Sequence, residues 1–485
     1  MTTSLRAIPY IGSQTTLRGA RVLTWLLAIF LIWLPLQTPI SIVAFQYGHL
    51  SATNTRLILL LKDAVVLGLL LALAIRQWRT FQWQWFDVLA VVYAMTIVVY
   101  SAIPLATNGS ASLSGVLASA RQLLVPAELY GLGRLAAAAG GDNRVIIRVF
   151  LVAAIASALF TVGQYVLGSP DFYATSLDLV SFERSVQGFA SASNLWNISI
   201  LGDYGTGQGQ FARAVGPFTH PVGTAHYFVL PLALAVAMAM TAVRRRRITF
   251  GLVTILFAAS IVITISRGGW GAAVLAALVC GLVFRRLRVA ALGIALAIAF
   301  VAVVPPFSAS IGSFINKTDT STGGHSAAID KGLQQIGDNP LGAGVGQADK
   351  FGAVDLDGVA QTLSQGEELG VGENTYLSVM INAGPIALIA FVLMFVGLLG
   401  NVLPLKRGTS ATLPQVVVAA AIIGYAASAM TSSPLMRFTT SASFWLIAGL
   451  VVIPGGLNGP NGWRLWFRRL PASIRERMPA RPAQP

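Results

Sequence analysis

The stretch that decides the fold runs from Arg244 to Trp270, RRRRITFGLVTILFAASIVITISRGGW. Four arginines close one end, and Arg267 with two glycines stands at the other. The apolar residues between them are numerous enough to cross a bilayer as one helix, which takes roughly 20 residues. Basic residues gather on the cytoplasmic side of membrane proteins. Arg244 to Arg247 therefore fix the inner end of this helix, and Arg267 is placed at its outer end, at the outer interface.

The same pattern recurs along the chain. Apolar stretches begin near Val22, Leu57, Val88, Leu113, Val145, Val222, Ile248, Gly269, Val289, Tyr376, Leu413 and Ser441, predicting about twelve helices. With 55% hydrophobic residues, 11% charged residues and a mean hydropathy of +0.71, the 485-residue chain reads as an all-α polytopic membrane protein. The net charge of +15 would suggest nucleic acid in a soluble domain. Here the arginines sit in short clusters between apolar runs, so the partner is the membrane and no nucleic acid is expected. The clusters at Arg18 and Arg21, Arg76 and Arg79, Arg134 and Arg144, Arg244 to Arg247, Arg285 to Arg288, Lys406 and Arg407, and Arg464 to Arg469 share one side if every stretch crosses. Both termini are then cytoplasmic. The single Cys280 excludes an intramolecular disulfide and a cysteine metal centre.

Three regions follow: an N-terminal cytoplasmic tail over 1–21, a transmembrane domain over 22–455, and a basic amphipathic tail over 456–485. Two long outer loops are expected, at about 168–220 and 305–372. They carry two-thirds of the 18 acidic residues, among them Asp171, Asp203, Asp319 and Asp355. The first loop also carries Phe182, Phe189, Trp196, Tyr204 and Phe211, more aromatics than a linker has. In the second, apolar residues at 328, 329, 333 and 336 predict a short amphipathic helix over Ser326 to Asp338. Asn339-Pro340 ends it, and Gly342, Gly344 and Gly346 permit positive φ. No Lys-Ser/Thr follows these glycines, so a nucleotide-cradling loop is not expected.

Charged groups at a bilayer boundary are costly and are usually kept for a ligand or a reaction. Arg267 is permanently charged and can grip two phosphate oxygens, or alternatively lipid headgroups. Arg213 precedes Gly216-Pro217 and His220-Pro221, whose prolines hold the chain out of helix and bring Arg213 and His220 to the same outer face. Two arginines there suit a pyrophosphate; His220 suits either a ligand or a helix N-terminus. Arg121 lies inside a membrane helix, two turns from Glu128. Glu373 and Asn374 stand at the start of a long helix. There Glu373 suits a general base for an incoming hydroxyl, and both residues also suit a helix cap. No Ser-His-Asp order, paired carboxylates at glycosidase spacing or metal-ligand cluster stands out, so neither a metal nor a cofactor is expected.

In order, these motifs resemble the O-antigen ligase and O-antigen polymerase superfamily of membrane glycosyltransferases. Arg213 with Gly216, Phe218 and Pro221 is similar to its Arg-x-x-Gly-x-Phe-x-x-Pro element, and Ser266-Arg267-Gly268 to its Ser-Arg-Gly element. Pro340-Leu341-Gly342-Ala343-Gly344 is similar to its Pro-Leu-Gly-x-Gly turn, and Asn374-x-Tyr376-Leu377 to the His-Asn-x-x-Leu stretch. The resemblance covers roughly Ile198 to Phe395. It implies a GT-C-like fold and metal-independent, inverting transfer of a glycan from an undecaprenyl-pyrophosphate carrier to an acceptor hydroxyl outside the inner membrane. Arg213 and Arg267 would bind the pyrophosphate; apart from what the resemblance implies, Arg121, His220, His325, Lys331 and Tyr376 are further candidate substrate contacts. Catalysis would fall to Glu373 and Asn374. Glu373 stands where ligases place His, which moves the reading toward a polymerase acting on lipid-linked repeat units, with a polysaccharide-assembly complex as a further partner. A ligase passing a finished glycan to a lipid is the alternative. A flippase is the reading of another class, but transporters place polar groups near the midplane, not at one face.

Overall fold

The computed structural model describes residues 17–106, 113–167, 178–186, 213–303, 320–348, 374–403 and 412–452, with the isolated positions 308 and 312. The described residues are helical, joined by turns and short irregular segments. The helices are α1 (Leu17–Gln46), α2 (Ala52–Gln77), α3 (Trp85–Ala106), α4 (Leu113–Ala138), α5 (Asn143–Leu167), the short α6 (Leu179–Ser185), α7 (Pro221–Thr241), α8 (Arg244–Val262), α9 (Arg267–Val283), α10 (Leu287–Val303), α11 (Thr320–Asp338), α12 (Thr375–Val402), α13 (Leu413–Ser428) and α14 (Phe438–Val451). Each of the twelve apolar stretches lies on its own helix. Six of the helices are long and apolar enough to cross a membrane, and four more are apolar but shorter. The chain is a multi-pass membrane protein. Most of both tails, most of the two outer loops and Glu373 lie outside the described residues.

Burial separates the helices. Of the most apolar window in α7, 83% is buried inside the protein, against 17% in α2 and 22% in α3, so α7 is the central helix and the other two face outward. Exposed Leu, Ile and Val on α2, α3 and α10 supply the outward surface that lipid solvates. At the centre, Trp445 of α14 packs against Phe444, Phe395 and Phe391 in tilted pairs at centroid distances of 4.9, 5.2 and 6.2 Å. Gly133 and Gly449 let α4 and α14 touch backbone to backbone, since a Cβ on either would collide with the facing main chain.

The structure revises several expectations. The helix that starts at Arg244 ends at Val262, and Arg267 is the first residue of the next helix instead of the last of this one. The amphipathic helix starts at Thr320, six residues early, so His325 lies inside it and not before it. A Thr-Ser-Thr-Gly-Gly run offers no apolar period to reveal that extra turn. Arg134, one of the basic residues read for orientation, is buried in α4. It forms an ion pair with Asp87 at 2.8 Å, both side chains buried, and Asp87 also accepts from Tyr130 Oη and the Gln84 amide. The short α6 shows that part of the first loop is packed: Phe182 is buried against Phe45 of α1 at 6.0 Å.

Candidate active site

Arg213 reaches the turn between α8 and α9. Its Nε donates to the Thr264 carbonyl at 2.9 Å and a terminal nitrogen to the Ile265 carbonyl at 3.4 Å, while the Ala214 amide donates to the Ile263 carbonyl at 3.0 Å. Two residues later Arg267 opens α9, with Ser266 as cap accepting from the Gly269 amide at 3.4 Å. The first two motifs are therefore one structure. Ile265 takes φ 51°, a left-handed conformation that a β-branched residue rarely adopts. Such strain persists only where neighbours impose it, and Arg213 is one of those neighbours.

The chain after Arg213 enters α7 through a short 3-10 turn, Gly216–Phe218. Gly216, at φ 56°, presses against Thr161 and Thr224, so a side chain has no room there. Gln164 of α5 accepts from the Gly216 amide at 3.0 Å, and Thr224 Oγ1 donates to the Val215 carbonyl. His220 caps α7: its Nδ1 accepts from the Gly223 amide at 3.3 Å.

The last motif joins from another direction. Asn374 caps α12 by accepting from the amides of Tyr376 and Leu377 at 3.0 and 3.1 Å, and its Nδ2 donates to the Met430 carbonyl at 2.8 Å. Thr375 bonds to the carbonyls of Ala429 and Ser432. Tyr376 gives its hydroxyl to the Ala426 carbonyl at 2.8 Å. All these contacts fall on the end of α13 and the turn after it. That same turn faces Gly268, where a Cβ would lie 3.3 Å from Ser428 Oγ and 3.5 Å from Thr431 Oγ1. The starts of α9 and α12 thus flank one turn, 429–437, and Arg437 at its end immediately precedes α14.

The third motif goes elsewhere. Gly342, Gly344 and Gly346 have φ of 100°, 105° and 94°, and the turn they make inserts against the middle of α12. There Pro385 lacks the N–H that would bond the Ile381 carbonyl. The Ala343 amide takes its place at 2.7 Å, and the Gly346 amide donates to Asn382 Oδ1 at 2.8 Å. Its role in the structure is to complete a broken helix.

Arg121 lies in α4 and pairs with Asp63 of α2 at 3.3 Å; Lys62 adds a second cation at 3.5 Å and sits over the Phe438 ring. Lys331 is exposed on α11. Sequence reasoning missed His226, buried in α7, whose Nε2 bonds Ser428 Oγ. A histidine inside an apolar run gave no signal of that partner. Among the described residues no three His, Cys, Asp or Glu side chains gather.

Residues 252–392 match the family model described as O-antigen ligase, so this part of the chain is similar to that family. It includes Arg267, the glycine turn and the start of α12. No curated protein matches the chain.

Proposed function

We propose, from the O-antigen ligase match over 252–392, that this chain is a membrane glycosyltransferase that polymerises lipid-linked repeat units. The observation that carries the reading is Arg213 bound to the turn that presents Arg267. A guanidinium presented by a turn that a second arginine braces suits the pyrophosphate of an undecaprenyl carrier, since guanidinium can donate to two oxygens at once. As the glycosyl bond breaks, charge grows on that pyrophosphate, and fixed donors stabilise it most at that moment.

In this reading Glu373 takes the proton from the acceptor hydroxyl, which attacks the anomeric carbon from the opposite side and inverts it without a metal. Asn374 has both ends of its amide engaged, so it fixes the start of α12 beside Glu373 instead of reacting. The protein would cross the inner membrane twelve times in a GT-C-like arrangement with both termini inside and the reaction outside.

The description of the matched family favours a second reading, transfer of a finished glycan to a separate acceptor. Wild-type protein in vesicles, supplied with lipid-pyrophosphate-linked repeat units, separates the two. A ladder of products supports the polymerase, and transfer only to an added acceptor supports the ligase. Movement of substrate across the bilayer without transfer would overturn both.

A further inference from the structure

His226, 1% exposed, has both ring nitrogens engaged. Nδ1 lies 2.6 Å from the Val222 carbonyl oxygen, which can only accept, so Nδ1 carries the proton. A neutral imidazole has one donor nitrogen and one acceptor nitrogen. Nε2 is therefore an acceptor, and Ser428 Oγ donates to it in a short hydrogen bond.

The direction of the next link follows. With its one proton committed, Ser428 Oγ can only accept from Ser432 Oγ, 3.1 Å away. Ser432 Oγ also lies 3.0 Å from the Ser428 carbonyl, again an acceptor. Donating to either of these, or to His226 Nε2 at 3.5 Å, Ser432 turns its proton inward and leaves its lone pairs to accept. Ser432 is half-buried and Thr431 beside it is exposed, so the chain ends where the α13–α14 turn meets the surface. Gly268, next to Arg267, lies against the same chain, since a Cβ there would be 3.8 Å from His226 Nε2.

A phosphate oxygen accepts hydrogen bonds and is matched by guanidinium, which only donates. A group that only accepts is matched by a donor, and on a glycan the abundant donor is a hydroxyl. We propose that Ser432 receives a hydroxyl of the acceptor sugar beside the arginine pair, with Ser428 and His226 as positioning residues that fix its polarity. This rests on the glycosyltransferase reading above.

The test uses full-length protein in nanodiscs with two readouts: binding of fluorescent undecaprenyl pyrophosphate, and transfer at saturating donor with the acceptor glycan varied. Ser432→Ala, at a half-buried hydroxyl, should raise the acceptor KM about fivefold, the scale of one neutral hydrogen bond, with undecaprenyl pyrophosphate affinity unchanged. Ser432→Thr, which keeps the hydroxyl, should restore the KM. A weakened undecaprenyl pyrophosphate affinity with the acceptor KM unmoved would show that the chain reads phosphate, and no change in either would show that it only packs. Both results overturn the subsite while leaving the transferase intact. Wild-type protein that binds the carrier but transfers nothing would overturn the transferase reading, and the subsite with it.

Discussion

Arg213 donates to the carbonyl of Thr264 at 2.9 Å, across 51 residues of sequence, and so ties the entry to α7 to the turn that opens α9. The contact uses Nε, and a terminal nitrogen reaches Ile265. Lysine has neither the fork nor the planarity to make both bonds. Arg213→Lys should lower transfer about tenfold, and Arg213→Ala about a hundredfold, the scale of losing a donor to developing charge. Initial rates with saturating acceptor would show it. Equal activity of Arg213→Lys and wild type would mean that charge alone suffices.

The Asp87–Arg134 pair is buried on both sides and joins α3 to α4 far along the chain from the arginine site. Asp87→Ala leaves the guanidinium buried without its carboxylate, which costs about 3–5 kcal/mol. Thermal unfolding in detergent should shift down accordingly. Protein that remains folded should bind undecaprenyl pyrophosphate as wild type does.

Gly384 takes φ 74° and ψ −177°, a combination essentially confined to glycine and costing about 1–3 kcal/mol for other residues. Its Cα side faces the Leu341 carbonyl, which also accepts from Tyr100 Oη at 2.6 Å. Gly384→Ala should therefore expel the glycine turn from α12. Faster proteolysis within 339–346 would report this, and unchanged protection would show that α12 can straighten around the alanine.

The helices were legible because a bilayer demands long apolar runs, and each of the twelve stretches lies on its own helix. Ends were less legible. Arg267 looked like the close of one helix because the turn at 263–266 carries no Gly or Pro; its break comes from Ile265 in the left-handed region. The convergence of the Arg213 and Arg267 motifs was readable from the prolines that delay α7. The docking of the glycine turn onto α12 was not, since it depends on a carbonyl left open by Pro385 44 residues after Leu341. His226 and its serines were invisible for a related reason: residues 202 apart meet only through the packing of α7 on α13.

The most direct test of the transferase reading is chain growth from lipid-pyrophosphate-linked repeat units in membranes, followed on a gel for wild type, Arg267→Ala and Glu373→Gln, with folding checked in parallel. The expected result is a ladder for wild type and none for either folded variant. A ladder that persists in both variants would contradict the assignment of pyrophosphate binding to Arg267 and of proton transfer to Glu373.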